Sequence, residues 1–348
     1  MTKQRLADRY TVVAGLASAV GAYAKSQDID AEPIARACGL DPARFEVVGA
    51  RVSLDRMCRF LEALALVSGD DLFGLKSATA FAKGGSGSFG YALLHAPSLR
   101  EAMVFMGRNL QKIAEASICT LEIGAREAAL EWTFSPLIVH RDQYVDMAAA
   151  QVFAHFRAFL GADINRCKLE LERKKPANTA PHREFLTRNI RFGATINRLT
   201  LPVDFLSRAN PDADPKLFAI LAQQVDQIPQ RINVAEDPVT AIKLHVADML
   251  SSGTPTLEAE AHRLGMSPRT LQRRLNDAGT SLHTIVDECR RELAEALLSD
   301  TNLRLSEISY RLGFSAPAAF TRSAIRWFGL TPSAYRQQTP NPAHDKQQ

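Results

Sequence analysis

Apolar residues recur at helical spacing twice in the last third of the chain, each time around a Leu-Gly step. The first copy spans 257–275 and contains Leu-Gly-Met-Ser at 264–267. The second spans 305–322 and contains Leu-Gly-Phe-Ser at 312–315. A glycine at this place lets the chain leave the first helix through a left-handed conformation that side chains resist. The pattern predicts two helix-turn-helix units, each with a second helix that begins just after the serine.

The same periodicity predicts a helix-rich beginning of the chain, with expected helices at 10–25, 31–38, 53–67, 87–95 and 98–114. Alternating apolar and polar residues then predict strands at 117–123 and 127–134, joined as a hairpin across Gly124-Ala125. A helix at 142–160 follows, then short strands at 167–172, 190–194 and 198–202, a small helix near 182–188 and a helix at 215–227. The fold class is therefore an α+β N-terminal domain, helix-rich with a small sheet, before an all-α C-terminal domain. In that second domain, one long helix at about 281–299 joins the two helix-turn-helix units.

The chain of 348 residues is long enough for domains with separate cores. Proline and polar residues near the ends of the predicted elements suggest four regions. We expect an N-terminal domain at 1–228, a linker at 229–236, a double helix-turn-helix domain at 237–337 and a disordered tail at 338–348.

Composition argues against several classes of protein. The five cysteines are widely spaced and form no Cys-x-x-Cys pair, so we expect no disulfide framework, no metal site and no cofactor. No apolar run approaches the roughly 20 residues of a membrane-spanning helix. The apolar run Tyr10–Ala24 follows basic residues, as in a signal peptide, but its helical spacing favours an amphipathic helix of a cytoplasmic protein.

Charge in the C-terminal region is balanced overall but segregated by position. Residues 233–348 contain 13 Lys/Arg and 13 Asp/Glu. Yet 263–274 carries four arginines and no acid, and 304–336 carries five arginines against Glu307. The acidic residues cluster between these blocks, at 287–300. Such segregation is expected when one face of a domain meets phosphate groups.

Two helix-turn-helix units joined by one long helix resemble the AraC/XylS family of bacterial transcription regulators, over about 238–337. Four motifs carry the resemblance: Ser-Pro-Arg-Thr-Leu-Gln-Arg-Arg-Leu at 267–275, Leu-Gly-Phe-Ser at 312–315, Arg-Trp-Phe-Gly at 326–329 and Thr-Pro-Ser-Ala-Tyr-Arg at 331–336. The N-terminal region more loosely resembles the effector domains of the subfamily that includes ornithine-utilisation regulators. The similar segments are 49–52, 69–75, 88–94 and 98–102.

The resemblance implies that each second helix enters a major groove, with the two grooves about one helical turn (~34 Å) apart. Matched residue by residue, it puts three side chains of the first recognition helix at base-facing positions: Arg269, Gln272 and Arg273. Arginine can bind guanine, and glutamine adenine, through paired hydrogen bonds. Three neighbouring side chains are expected to contact phosphates: Thr270, Arg274 and Asn276.

The second unit departs from the family pattern. Positions 316–319 are Ala-Pro-Ala-Ala, so Arg322 alone is expected to reach a base, with Thr321 and Arg326 at phosphates. Ala324 stands where the family usually has Phe. We therefore expect the first helix to supply most of the sequence readout and the second to position the protein.

Two weaker signals lie in the N-terminal region. The Gly-x-Gly-x-x-Gly pattern at 85–90 lacks the preceding strand and following acid of a dinucleotide site, and predicts a flexible loop into a helix. A small-molecule pocket would need a few polar groups in an apolar lining. The candidates, for each of which ordinary packing or surface exposure is the more common explanation, are Tyr91, His95, Arg108, Trp132, His140 and Tyr144.

These observations predict a non-enzymatic, ligand-responsive transcription regulator that binds double-stranded promoter DNA and an unknown small-molecule effector. The resemblance further implies a homodimer that activates a metabolic or related operon through RNA polymerase, without a membrane partner. One alternative is a ligand-independent dimeric DNA-binding protein. Another is an enzyme carrying the same DNA-binding module, such as a repair methyltransferase, but this would need a reactive cysteine in a zinc cluster.

Overall fold

A computed structural model of the protein describes residues 5–47, 49–81, 86–228, 238–301 and 303–338. Within them the chain divides into two compact units. One contains 8–134 and 140–228, and the other contains 238–338 with 5–7 and 135–139. The predicted linker 229–236, most of the predicted tail and Gly85 of the glycine pattern lie outside the described residues. Gln338, predicted to begin the tail, is instead the last residue of a helix.

The unit that contains 8–134 is rich in helices, and several begin at side chains that accept hydrogen bonds from the exposed backbone N–H groups of the first turn. Ser53 and Ser98 do so through their hydroxyls, and Asp30 and Asp214 through their carboxylates. The helices are α1 Gly15–Ser26, α2 Ala31–Ala37, α3 Leu54–Ser68, α4 Phe73–Ser77, α5 Ser88–His95, α6 Leu99–Ile113, α7 Asp142–Leu160, α8 Ala180–Phe185 and α9 Pro215–Asp226.

Two sheets complete this unit. The strands are β1 Thr11–Val13, β2 Arg51–Ser53, β3 Ser117–Ile123, β4 Glu127–Phe134, β5 Lys168–Leu171, β6 Asn189–Phe192 and β7 Asn197–Pro202. β1 and β2 form a small antiparallel pair, and the others form a five-stranded sheet in the order β3-β4-β7-β5-β6. Its pairs are antiparallel except β5 with β6. The α+β fold class is therefore confirmed.

The hairpin strands and the helix at 142–160 occupy the predicted residues, whereas the prediction of one helix over 10–25 is wrong at its start. Residues 11–13 form β1, and the helix begins only at Gly15. Three successive β-branched residues favour a strand, and Val12 lies opposite Val52 of β2. The strand β2 and the short helix α4 were not predicted. The small helix near 182–188 lies slightly earlier, at Ala180–Phe185.

The other unit is all-α across its described residues. Its helices are α10 Pro238–Met249, α11 Leu257–Arg263, α12 Pro268–Asp277, α13 Leu282–Asp300, α14 Leu305–Arg311, α15 Pro317–Phe328 and α16 Pro332–Gln338. The long helix α13 contacts α10, α14, α15 and α16. No helix in the described part of the chain is both long and apolar enough to span a membrane.

A charged cluster is buried among the helices and strands of the N-terminal unit. Asp146 of α7 accepts a hydrogen bond from His182 Nε2 at 2.9 Å and is ion-paired with Arg173. Arg173 also binds Asp71, with 3.0 Å between Nη2 and Oδ2. The side chains of Asp146, Arg173 and His182 are at most 2% exposed. Because burial penalises an uncompensated charge, these partners hold α7, α8 and the segment after β5 together.

The buried His182 predicts a loss of stability in mild acid. Burial, reinforced by the nearby Arg173, lowers its pKa to about 4, against 6.5 in an unfolded chain. The unfolded state therefore binds more protons between these values, so stability falls as pH decreases from 6.5 towards 4. We expect His182→Gln, whose amide can still donate to Asp146, to lose less thermal stability over this range than the unmodified protein.

Thermal unfolding at closely spaced pH values, followed by Trp132 fluorescence in a Trp327→Phe background, tests this expectation. His283→Gln is the matched control because His283 is exposed on α13, and it should follow the unmodified protein. Parallel melting curves for His182→Gln and the unmodified protein would contradict the assignment of this pH dependence to His182.

Candidate functional site

Both Leu-Gly turns adopt the left-handed geometry that their sequence predicts. Gly265 has φ +65° and Gly313 has φ +72°. After the first turn, the Ser267 hydroxyl accepts a hydrogen bond from the Thr270 N–H at 3.1 Å. Pro268 occupies the first turn of α12, where a missing N–H leaves no partner unsatisfied. The first helix-turn-helix unit therefore consists of α11 and α12, and the second consists of α14 and α15.

The helix α12 separates its apolar and polar side chains onto opposite faces. Leu271 and Leu275 are fully buried, whereas Arg269, Gln272 and Arg273 are exposed. Within the described part of the chain, neither Arg269 nor Arg273 is hydrogen-bonded or ion-paired. These guanidinium groups are accordingly available to an external partner.

The side chains predicted at phosphates lie on or beside this face. Arg274 and Asn276 are exposed, and Asn276 accepts a long hydrogen bond of 3.4 Å from Gln272. Thr270 is half-buried, and its hydroxyl lies 2.8 Å from the hydroxyl of Ser267. Thr270 therefore takes part in the cap of α12 as well as bordering its exposed face.

The helix α15 presents fewer polar groups. Phe320 and Ala324 are buried and Arg322 is exposed. The Thr321 hydroxyl donates to the carbonyl of Pro317 at 3.1 Å. Arg326 is 61% exposed but is ion-paired with Asp287 of α13. A phosphate contact by Arg326 would therefore have to share this ion pair, a constraint that the sequence pattern did not reveal.

The turn of the second unit is fixed on the middle of α13 by Arg290. The Nε and Nη2 atoms of Arg290 donate to the carbonyls of Leu312 and Gly313 at 2.9 and 3.1 Å. Its guanidinium also stacks over the Phe314 ring, 4.7 Å from the centroid. Gly313 packs so closely that a Cβ there would lie 2.2 Å from the carbonyl oxygen of Leu250. The second turn is thus held by Arg290 of α13 and packed against Leu250.

Acidic residues of α13 also bind neighbouring helices. Asp287 accepts a hydrogen bond from Trp327 Nε1 at 2.9 Å in addition to its ion pair with Arg326. Glu288 is ion-paired with Lys243 of α10. The acidic block at 287–300 therefore holds the helices of this unit together, beyond the charge segregation that its sequence suggested.

The N-terminal unit contains an apolar cavity of about 50 Å³ beside its five-stranded sheet. It is lined by residues of α6, β3, β4 and α7, together with Leu16 of α1, Phe89 of α5 and Ser86. From the strands come Cys119, Leu130, Trp132 and Phe134, and from α7 come Tyr144, Ala148, Gln151 and His155. The spacing of the α7 residues, four or three apart, places them on one side of the helix.

Two of the six predicted effector-binding candidates, Trp132 and Tyr144, line this cavity. The others do not: Tyr91 and Arg108 are exposed, His95 bonds the carbonyl of Asp212, and His140 is half-buried elsewhere. Sequence reasoning missed Cys119, Gln151 and His155. Alternation along β3 and the helical spacing of α7 could have placed them on inward faces, but not at a cavity.

Metal chemistry has no visible site in the described residues, which contain no group of three or more His, Cys, Asp or Glu side chains able to hold a metal ion. The five cysteines are unpaired with one another. Burial raises the pKa of Cys119 and Cys289 to about 12, so both thiols are protonated and unreactive at neutral pH.

Two helix-turn-helix units on one connecting helix, beside a separate α+β unit with a cavity, define a transcription regulator with an effector domain. The chain belongs to the AraC family of transcription regulators. Residues 29–210 match the family described as the arabinose-binding domain of AraC transcription regulator, N-terminal, and residues 261–338 match a helix-turn-helix domain family. The double helix-turn-helix architecture and the effector-binding N-terminal domain predicted from the sequence are thereby confirmed.

Several named regulators are similar to most of this chain. The transcriptional regulator VirS of Mycobacterium tuberculosis is 28% identical over 312 residues, covering 88% of this chain and 91% of VirS. The ornithine utilization regulator of Pseudomonas aeruginosa is 26% identical, covering 72% and 74% of the two chains. The crystal structure of the transcriptional regulator CdpR from Pseudomonas aeruginosa covers 92% of this chain and 97% of CdpR, with 20% identity and a TM-score of 0.40.

The two turn glycines offer a matched pair of substitutions. Gly265→Ala should cost only the roughly 1–2 kcal/mol of a left-handed side chain, because nothing lies within 4 Å of the added Cβ. Gly313→Ala meets the Leu250 carbonyl and should cost about 1–3 kcal/mol more through overpacking.

Urea unfolding of each variant in a Trp132→Phe background measures this difference, because Trp327 then reports on the C-terminal unit alone. The free energy of unfolding should fall furthest for Gly313→Ala. Equal losses for the two variants would mean that the packing of the second turn against Leu250, the residue after α10, contributes nothing.

Proposed function

We propose that this protein is a ligand-responsive regulator that reads promoter DNA chiefly through α12. In this proposal Arg269, Gln272 and Arg273 contact base edges in one major groove. Thr270, Arg274 and Asn276 contact the phosphates beside it. The two alternative functions, a ligand-independent DNA-binding protein and an enzyme with a DNA-binding module, have no specific observation in their favour.

The observation that carries the proposal is the state of the arginines on α12. Two guanidinium groups, Arg269 and Arg273, stand exposed and without a partner in the described residues, one helical turn apart on a helix whose other face is buried. Five N–H donors on a planar guanidinium fit the two acceptors of a guanine edge. An isolated pair of exposed cations has no evident role in the stability of the unit.

The second unit is proposed to position the protein more than to read sequence. The helix α15 starts with Pro317-Ala-Ala, and Arg322 is its exposed arginine without a partner among the described residues. The other exposed arginine, Arg326, is ion-paired with Asp287. Thr321 and Arg326 are proposed phosphate contacts. The rigid attachment of this unit to α13 supports the role, because a fixed second anchor sets the register of the first helix on DNA.

Activation through RNA polymerase, a homodimeric state and a cytoplasmic location are further parts of the proposal, supported by membership of the AraC family. Genome-wide mapping of bound DNA, with transcript levels in a deletion strain, tests it. Sharp peaks upstream of a few operons whose transcripts fall on deletion are expected. Diffuse binding without a shared motif would overturn the proposal, and rising transcripts would overturn its activator part.

The base-reading role predicts a sequence-selective defect. Arg273→Ala should weaken binding to the bound motif by about 1–3 kcal/mol and relax the preference at one base pair, while binding to random DNA changes little. Fluorescence anisotropy with the motif, its single-base variants and random DNA measures both effects. Pro317→Ala serves as a control with little expected change in sequence preference, and equal weakening on all DNAs would contradict base reading by Arg273.

The phosphate-contact role predicts a different signature. Arg274→Ala should weaken binding to specific and random DNA alike, and should reduce the slope of log affinity against log salt concentration by about 1. Salt titrations with the same DNAs test this expectation. A defect confined to one base position would instead assign Arg274 to base reading.

A further inference from the structure

The cavity of the N-terminal unit contains polar atoms that the fold leaves without partners. Trp132 is 2% exposed and lines the cavity, and its buried Nε1–H makes no hydrogen bond within the described residues. The buried Nδ1 of His155, across the cavity on α7, is likewise without a partner there. A buried polar atom without a partner costs free energy, so these two atoms are suited to a ligand that would satisfy them.

Elsewhere in the same unit, several buried polar groups bond one another. Asp146, Arg173 and His182 form the internal charged cluster described above, and the buried Gln143 bonds the N–H of Gly74 and the carbonyl of Asp71. Unlike the Nδ1 of His182, which is also unpartnered among the described residues but does not line the cavity, Trp132 Nε1 and His155 Nδ1 belong to residues that line the same cavity. Two unpartnered polar atoms at one cavity point to a binding site there.

We propose that this cavity is the effector site, and that it binds an uncharged, mainly apolar molecule with one hydrogen-bond acceptor that bonds Trp132 Nε1. This inference rests on the proposed function, because it names the class of ligand to which the regulator responds. The indole N–H is a donor only, so its partner on the ligand is an acceptor such as a ketone, ester or amide oxygen. His155 provides the second polar contact.

The residues that line the cavity indicate that the ligand is uncharged. The described residues that line the cavity include no Lys, Arg, Asp or Glu. Burial lowers the pKa of His155 to about 4, so its ring is neutral at physiological pH. A ligand ammonium or carboxylate would lose its hydration without meeting an opposite charge, which is strongly unfavourable. The site therefore selects against free amino acids, amines and organic acids.

Because the cavity is small, binding of a ligand in it requires its walls to move. Its volume of about 50 Å³ is well below the roughly 150 Å³ of an apolar cavity that holds benzene. A ligand with more than a few non-hydrogen atoms must therefore displace side chains or shift α6 or α7. Met106, which lines the cavity from α6, is the side chain best able to adapt, because its unbranched thioether has several accessible rotamers.

Four probes of similar size separate the polar requirements: acetophenone has an acceptor, ethylbenzene has none, benzoate is an anion and benzylamine is a cation. Each is titrated into full-length protein labelled with ¹⁵N-tryptophan, which has two indole N–H signals, from Trp132 and Trp327. Trp327→Phe identifies the signal of Trp132. We expect acetophenone alone to move this signal downfield and to bind at least tenfold more tightly than each of the other three.

Trp132→Phe supplies the specific test, since it keeps an aromatic ring and removes the donor. It should bind acetophenone and ethylbenzene with affinities within about threefold of each other, because the hydrogen bond that discriminates between them is gone. Trp327→Phe, which alters the other unit, should keep the full preference. The same preference in Trp132→Phe as in the unmodified protein would overturn the role of Trp132.

The other possible results of the probe titrations each test one part of the proposal. Tighter binding of benzoate or benzylamine than of acetophenone would overturn the uncharged class of ligand, and no binding of any probe at millimolar concentration would overturn the site. Anisotropy with the mapped promoter, run on the same preparations, separates this result from the proposed function. Specific DNA binding together with a probe preference other than the expected one would reject only the ligand site. Absence of specific DNA binding would reject the proposed function.

Discussion

The relation between the two helix-turn-helix units depends on how the second turn is fastened to α13. The guanidinium of Arg290 satisfies the carbonyls of Leu312 and Gly313, and it covers the ring of Phe314. Backbone carbonyls at a helix end would otherwise need water or a cap, so one side chain both closes α14 and anchors it. A protein that contacts DNA through two helices needs such a fixed attachment. Movement of the second unit relative to the first would increase conformational entropy and would leave the position of the first recognition helix on DNA undefined.

The buried polar groups of the N-terminal unit occur in two arrangements. Asp146, Arg173 and His182 neutralise one another and bind separate elements into one core. Trp132 and His155 instead leave polar atoms unmatched beside an apolar space. In the first arrangement the charges are compensated within the fold, and the buried Nδ1 of His182 is left without a partner among the described residues. In the second, two unpartnered polar atoms belong to residues that line one cavity.

The sequence predicted correctly the elements whose side-chain pattern is typical of one type of secondary structure. Alternating or β-branched and aromatic residues predicted β3 and β4 with the observed bounds, and Leu-Gly-x-Ser located both turns. It failed at β1 because Val12, Leu16 and Val20 are all fully buried at spacings of four, which mimics one continuous helix face. The cavity could not be predicted, since its walls come from several elements that are far apart in sequence. Arg326, unlike Arg273, is ion-paired with Asp287, 39 residues earlier, and no local sequence pattern contains this pairing.

The small volume of the cavity bears on how a ligand could control this regulator. A ligand shifts a conformational equilibrium only by the difference in its affinity for the two states. A cavity already large enough for its ligand could bind it without any change in the protein, and would transmit nothing. Here the helix α7 contributes both a wall of the cavity and, through Asp146, the centre of the buried charged cluster. In the proposed effector site, a shift of α7 to admit a ligand would therefore strain or rearrange that cluster.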